Sequence, residues 1–227
     1  SYWQLSKVCV CIFSIILIMN CSAMFANTTV VNNIEGKRRQ VPVMAHAHGA
    51  EGIRLAAEAG CRSIEHASFI DASGIDACLK NDTWIVPTFM IGAHFDENGS
   101  ETGHQDRLIQ LQKDSNDRYL KCIQDAVKAG VKVALGSDYV GWDPLTTTKE
   151  FQYLVERGGM SPMQAIRTGT SSAADLLQNS LIGRVKAGNM ADLVVVTGGD
   201  PAVDISILVN NVGLVMKEGK IVKNTFV

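Results

Sequence analysis

The chain has 227 residues, 46% of them apolar and 19% charged, a globular composition rather than a disordered one. That length holds one substantial domain, or one domain with a small appendage. A formal net charge of −2 gives no basic footprint and argues against a nucleic-acid partner.

Residues 1–26 differ from everything after them. Lys7 precedes an apolar run, Val8-Cys9-Val10-Cys11-Ile12-Phe13-Ser14-Ile15-Ile16-Leu17-Ile18-Met19, and Cys21-Ser22-Ala23 follows as a small-x-small site. That order predicts a secretory signal peptide and a secreted or periplasmic protein. An uncleaved membrane anchor is the alternative, although the run is short for a spanning helix. Residues 27–40 are polar, end in Lys37-Arg38-Arg39 and read as a linker.

From residue 41 short apolar runs alternate with helical patterns. Residues 41–45 form a strand entered through Val41-Pro42, a pair that favours extended backbone. Residues 50–59 follow as a helix with an apolar face of Ile53, Ala56, Ala57 and Ala59, stopped by Gly60. Ser63-Ile64 is the next strand, residues 72–79 the next helix, and residues 84–87 a third strand. Residues 89–105 read as a long loop over the strand ends. An amphipathic helix is expected over 107–129, interrupted near 114–117, then a fourth strand over 131–135.

Helices are expected over 144–155 and 162–177, the second opened by an N-cap at Ser161 and proline at its first position. Residues 191–196 and 212–222 are β-rich, and Lys217-Glu218-Gly219-Lys220 reads as a hairpin turn. The organisation is α/β: about four βα units of a partial (β/α)8 TIM-type barrel over 41–180, then a small β-rich domain over 181–227. Four parallel strands cannot close a barrel, which takes eight.

Chemistry concentrates where these strands end. His46, His66 and Asp138 each stand at the C-terminal end of an apolar run, where βα barrels place their catalytic groups. Two imidazoles and a carboxylate there make a candidate metal site; a core histidine bonded to a neighbour is the competing explanation for His46. In Ala45-His46-Ala47-His48-Gly49 the two histidines face the same way if the strand continues, but Gly49 ends it, so His48 is assigned to substrate contact. Tyr139, following Asp138, is a candidate pocket-wall and substrate-binding residue, with Trp142 and Asp143 beyond it. Glu65 points away from His66 on a strand and reads as a structural acceptor. His94 and His104 have no partner at ligand spacing and are assigned to the loop rim. Ser137 lacks a nucleophile elbow. Cys61, Cys78 and Cys122 are scattered singly and read as small buried hydrophobes.

These motifs resemble the C-terminal half of the metal-dependent amidohydrolase superfamily, in particular its imidazolonepropionase-like and prolidase-like members. The matching stretches are VMAHAHGAEGIRLAAEAG from Val43, SIEHAS from Ser63, VALGSD from Val133, MSPMQAIRTGTSSAADL from Met160 and GRVKAGNMADLVVVTGGD from Gly183. The resemblance implies that His46 is the fifth-strand metal ligand and His66 the sixth-strand ligand. It implies that Asp138 is the eighth-strand aspartate, which both binds metal and acts as general base and acid. It further implies a divalent cofactor, with zinc as the expected ion, and hydrolysis of C–N bonds in dipeptides or other small amides by metal-activated hydroxide. The β-rich tail is expected to belong to a composite sandwich.

The family's first-strand His-x-His and its bridging lysine have no counterpart before residue 41. The chain is therefore expected to be a fragment of the fold, with weak metal binding and little activity by itself. A second expectation follows: a non-catalytic remnant or interaction subunit, pairing through its open barrel edge with a missing half-barrel or with a second copy in a homo-oligomer.

Overall fold

The structure, a computed structural model, describes residues 16–19, 34–90, 93, 106–138 and 147–226. Packing divides them into an N-terminal unit within Ser14–Val133 and a C-terminal unit within Ala134–Val227.

In the N-terminal unit a parallel sheet runs in the order β1 (Ile16–Met19), β2 (Val43–Ala47), β3 (Ser63–His66), β4 (Trp84–Val86). The β2 register pairs Met44 with Ser63, His46 with Glu65 and Ala47 with His66; β3 pairs Glu65 with Val86. Four of the five β2 residues and all of β4 are buried, as expected for parallel strands covered on both faces. Of the expected export segment only Ile16–Met19 is described, as the strand beside β2. The polar stretch expected as a linker contains a short helix, α1, over 34–39. No helix among the described residues is long and apolar enough to cross a membrane.

Helices link these strands. α2 (Ala50–Ala59) buries Ile53, Ala56 and Ala57, and Gly60 closes it in the left-handed conformation (φ 88°), which glycine adopts without steric cost. α3 (Ala72–Asn81) opens on Asp71, whose carboxylate accepts from the Gly74 N–H at 2.9 Å. α2 and α3 pack on each other at Gly74, where an added Cβ would stand 3.0 Å from Ile70 and 3.3 Å from Ile53. Cys61 and Cys78 are buried free thiols, and burial pushes both up to about 11.

Two expectations in this unit need correction. The helix expected to break near 114–117 is continuous, α4 (Asp106–Ala129), because its buried Tyr119, Ile123 and Ala126 keep helical spacing and no glycine or proline interrupts it. The fourth strand over 131–135 is reduced to a single parallel bridge between Ile85 and Val133. Ile85 donates to the Lys132 carbonyl at 2.9 Å, but the Leu135 N–H is taken by the Thr168 carbonyl at 3.1 Å, so no ladder continues.

The C-terminal unit begins with α5 (Lys149–Glu156), α6 (Pro162–Thr168) and α7 (Ser171–Leu176). Ser161 forms a full capping box: its hydroxyl accepts from Gln164 N–H at 3.3 Å, and Ser161 N–H donates to Gln164 Oε1 at 2.8 Å. The single helix expected over 162–177 is broken at Gly169-Thr170. An added Cβ on Gly169 would lie 2.5 Å from the Phe151 ring and 3.1 Å from Leu135, so α6 ends against these side chains. After α7 come β5 (Leu193–Val196), α8 (Ile207–Asn210), β6 (Val212–Lys217) and β7 (Lys220–Asn224). The three strands form an antiparallel sheet in the order β5-β6-β7. Glu218 and Gly219 both have positive φ, 50° and 78°, the pattern of a two-residue type I′ hairpin turn. Asp192 ties this turn to β5, accepting from Lys217 Nζ at 2.6 Å and Glu218 N–H at 2.7 Å.

Candidate metal centre

The C-terminal ends of β2, β3 and β4 meet at three histidines. His46 is in β2, and His48 follows it two residues later, so the pleat aims both rings to one side. Gly49, the N-cap of α2, stands directly after His48. The carbonyl of His48 accepts from Phe69 N–H at 2.9 Å, which fastens the end of β2 to the loop after β3.

His66 reaches the same place by a different route. The register sets Glu65, not His66, beside His46. Simple alternation would put the His66 ring on the opposite face from His46. At the strand end, however, His66 has φ 69° and Ala67 φ 48°, left-handed values that are costly for residues with a Cβ. This turn re-aims the imidazole, and Nε2 of His66 lies 2.9 Å from Nδ1 of His46. The three ring centroids are 4.5 to 4.7 Å apart. Each ring offers a nitrogen within 4.8 Å of the nitrogens of the other two.

Hydroxyls occupy the outer side of the cluster. His66 Nδ1 lies 2.7 Å from Thr88 Oγ1, just beyond β4, and His48 Nδ1 lies 2.7 Å from Ser68 Oγ. His66 is buried, and burial first, then the neighbouring His48 and His46, pushes its pKa down to about 3. It is therefore neutral at pH 7 and keeps a lone pair. Three imidazole nitrogens, one held neutral by its surroundings, are a donor set that fits a divalent transition metal.

His46 and His66, expected to act together, are brought together, and His48, assigned from sequence to substrate contact, joins them. Asp138 is exposed, with φ 46°, and belongs to the C-terminal unit. Tyr139, Trp142, Asp143, His94 and His104 lie outside the described residues. Sequence reasoning missed Thr88 and Ser68; their one legible signal was position, just past the ends of β4 and β3. A cavity of about 360 Å³ in the C-terminal unit, lined by Leu135, Ile166, Ala174, Leu193 and Leu208 among others, contains none of the three histidines.

The amidohydrolase family model matches residues 24–222, and the chain belongs to the amidohydrolase family. It is 36% identical over 162 residues to an ochratoxinase of Aspergillus niger, covering 70% of this chain and 33% of that protein. It is 30% identical over 147 residues to an imidazolonepropionase of Nocardia farcinica, covering 64% of this chain and 32% of that protein. Among solved structures, A. niger ochratoxinase superimposes with a TM-score of 0.80 at 29% identity, over 94% of this chain and 51% of that one. A Xaa-Pro dipeptidase with bound methionine in its active site gives 0.77 at 33% identity, over 88% and 49%. The chain thus spans about a third of the length of these curated relatives and about half of these solved chains.

Proposed function

We propose that this chain carries part of the active site of a metal-dependent hydrolase that cleaves the C–N bond of small amides or dipeptides. The observation that carries the proposal is the gathering of His46, His48 and His66 nitrogens at adjacent parallel strand ends in an amidohydrolase-family chain. The parallel sheet with its helices would be an arc of a (β/α)8 barrel, and β5–β7 one part of a composite sandwich. The likeness to about half of the ochratoxinase fold supports this. The substrate class rests on relatives named as an ochratoxinase, an imidazolonepropionase and a Xaa-Pro dipeptidase.

His46, His48 and His66 would hold the ion, and zinc suits three imidazole nitrogens. When bound, such an ion supplies a Lewis acid that polarises a carbonyl and lowers the pKa of water. Asp138 would take the proton of the attacking water as its oxygen bonds to the amide carbon. It would return that proton to the nitrogen as the C–N bond breaks.

The test is hydrolysis of a dipeptide panel by the purified chain with added Zn²⁺ or Co²⁺. A low turnover that disappears in Asp138→Asn is the expected result. Absence of turnover, or equal rates in the variant, overturns the catalytic assignment.

A second function, as a subunit that pairs with another polypeptide, is favoured by apolar side chains left exposed in the C-terminal unit, among them Val185 (90%), Val203 (80%) and Ile221 (55%). Light scattering on the eluted chain separates the two: a strict monomer speaks against pairing.

A further inference from the structure

We propose that Thr88 is the positioning residue of the histidine cluster: its hydroxyl oxygen accepts the proton on His66 Nδ1 and leaves Nε2 of that ring as the lone-pair nitrogen facing His46. The proposal rests on the reading of the cluster as a metal site, but its first observable does not require the metal.

The sheet does not aim His66 by itself, because register would place Glu65 there and His66 leaves the strand in a left-handed turn. A ring held outside its pleat needs an anchor, and the Thr88 hydroxyl, 2.7 Å from Nδ1, is the polar group that meets it on that side. Thr88 is itself fixed. It is buried, it follows Pro87 at the end of the buried strand β4, and its N–H donates to the Tyr119 hydroxyl at 3.2 Å. Tyr119 is held in turn by α4 and packs on Phe89 at 5.2 Å between ring centroids. The anchor thus reaches from the cluster through the β4 end to a long helix.

The direction of the proton decides which ring nitrogens are left for an ion. Nε2 of His66 faces Nδ1 of His46 at 2.9 Å. A proton on His66 Nε2 would be donated to His46 Nδ1 and would occupy a lone pair on each ring. A proton on His66 Nδ1, accepted by Thr88, leaves the Nε2 lone pair to accept from His46 Nδ1–H in the metal-free chain, and His46 then keeps its own Nε2 unprotonated. His48 repeats the arrangement, with Nδ1 2.7 Å from Ser68 Oγ. Two of the three rings therefore hold the same nitrogen against a hydroxyl, the outer-shell pattern that fixes the tautomer of ligating histidines.

The experiment is long-range ¹H–¹⁵N correlation of the imidazoles in the metal-free chain at neutral pH, followed by Co²⁺ titration read by absorbance. His66 is expected as the Nδ1–H tautomer in the native chain and in Thr88→Ser. In Thr88→Val that tautomer should give way to Nε2–H, and Co²⁺ affinity should fall about 10–100-fold. A native His66 in the Nε2–H form overturns the proposal without any variant. So does a Thr88→Val chain whose tautomer and Co²⁺ affinity match the native ones. If the tautomer responds to Thr88→Val while the native chain takes up no Co²⁺, the positioning role stands and the metal reading of the site falls.

Discussion

His66 Nε2 lies 2.9 Å from His46 Nδ1 although the sheet pairs His46 with Glu65. The contact exists because β3 ends in two consecutive left-handed residues, His66 and Ala67. Such backbone costs roughly 1–2 kcal/mol per residue, and strain of this kind collects at functional sites. Here it turns an imidazole that would have faced away into the ring cluster at the sheet's C-terminal edge.

A buried neutral histidine makes stability depend on pH. In the unfolded chain an imidazole takes up its proton below about 6.5, whereas His66 in the folded chain stays neutral down to about 3. The unfolded state therefore binds more protons throughout that window. The contribution of His66 is fully present above pH 6.5 and is lost as pH falls towards 3, at about 1.4 kcal/mol per pH unit. Urea unfolding of the metal-free chain between about pH 7 and pH 5, compared with His66→Gln, isolates this slope above the carboxylate range. The native chain should lose stability faster on acidification; parallel curves would show that His66 is not held neutral.

The close approach of the Phe151 ring to Gly169, between α6 and α7, depends on the absence of one side chain. A Cβ at Gly169 would meet the Phe151 ring at 2.5 Å. Gly169→Ala should destabilise the chain by about 1–3 kcal/mol through overpacking. Phe151→Leu, which removes the ring atoms in question, should recover part of that loss in the double variant. A double variant that is simply additive would place the strain elsewhere.

The β6–β7 turn offers a change of the opposite sign. Glu218 occupies φ 50° ahead of Gly219, a position where asparagine is preferred. Glu218 is an exposed residue whose side chain makes only a 3.5 Å surface ion pair with Lys217. Its backbone N–H, bonded to Asp192, survives substitution. Glu218→Asn should therefore stabilise the chain by about 0.5–1 kcal/mol, read as a higher urea midpoint at unchanged m-value. A lower midpoint would mean that the glutamate side chain matters more than the turn conformation.

The sequence disclosed the βα rhythm because its strands are short buried runs bounded by glycine, proline and capping residues. It disclosed His46 and His66 because strand ends are where such a fold collects chemistry. The hairpin turn at Glu218-Gly219 and the Ser161 cap were legible for local reasons, since both are fixed by neighbours in the chain. What stayed hidden depends on contacts distant in sequence. The fourth strand dwindles to a bridge where Thr168 takes the Leu135 N–H, and the helix over 162–177 is interrupted at Gly169-Thr170, where Phe151 lies against the glycine. Nothing local announced the left-handed turn at His66, since periodicity assumes that a strand stays extended to its last residue. The inclusion of His48 turned on how the chain leaves β2, whose end the Phe69–His48 backbone bond fastens to the loop after β3.

The central claim is that His46, His48 and His66 together hold one divalent ion, and metal content measures it directly. The chain is to be loaded with Zn²⁺, dialysed and assayed by elemental analysis beside a His46→Ala, His66→Ala double variant whose fold is checked by circular dichroism. About one zinc per native chain is expected, and none above background in the folded double variant. Zinc absent from the native chain, or retained equally by the variant, would contradict the claim.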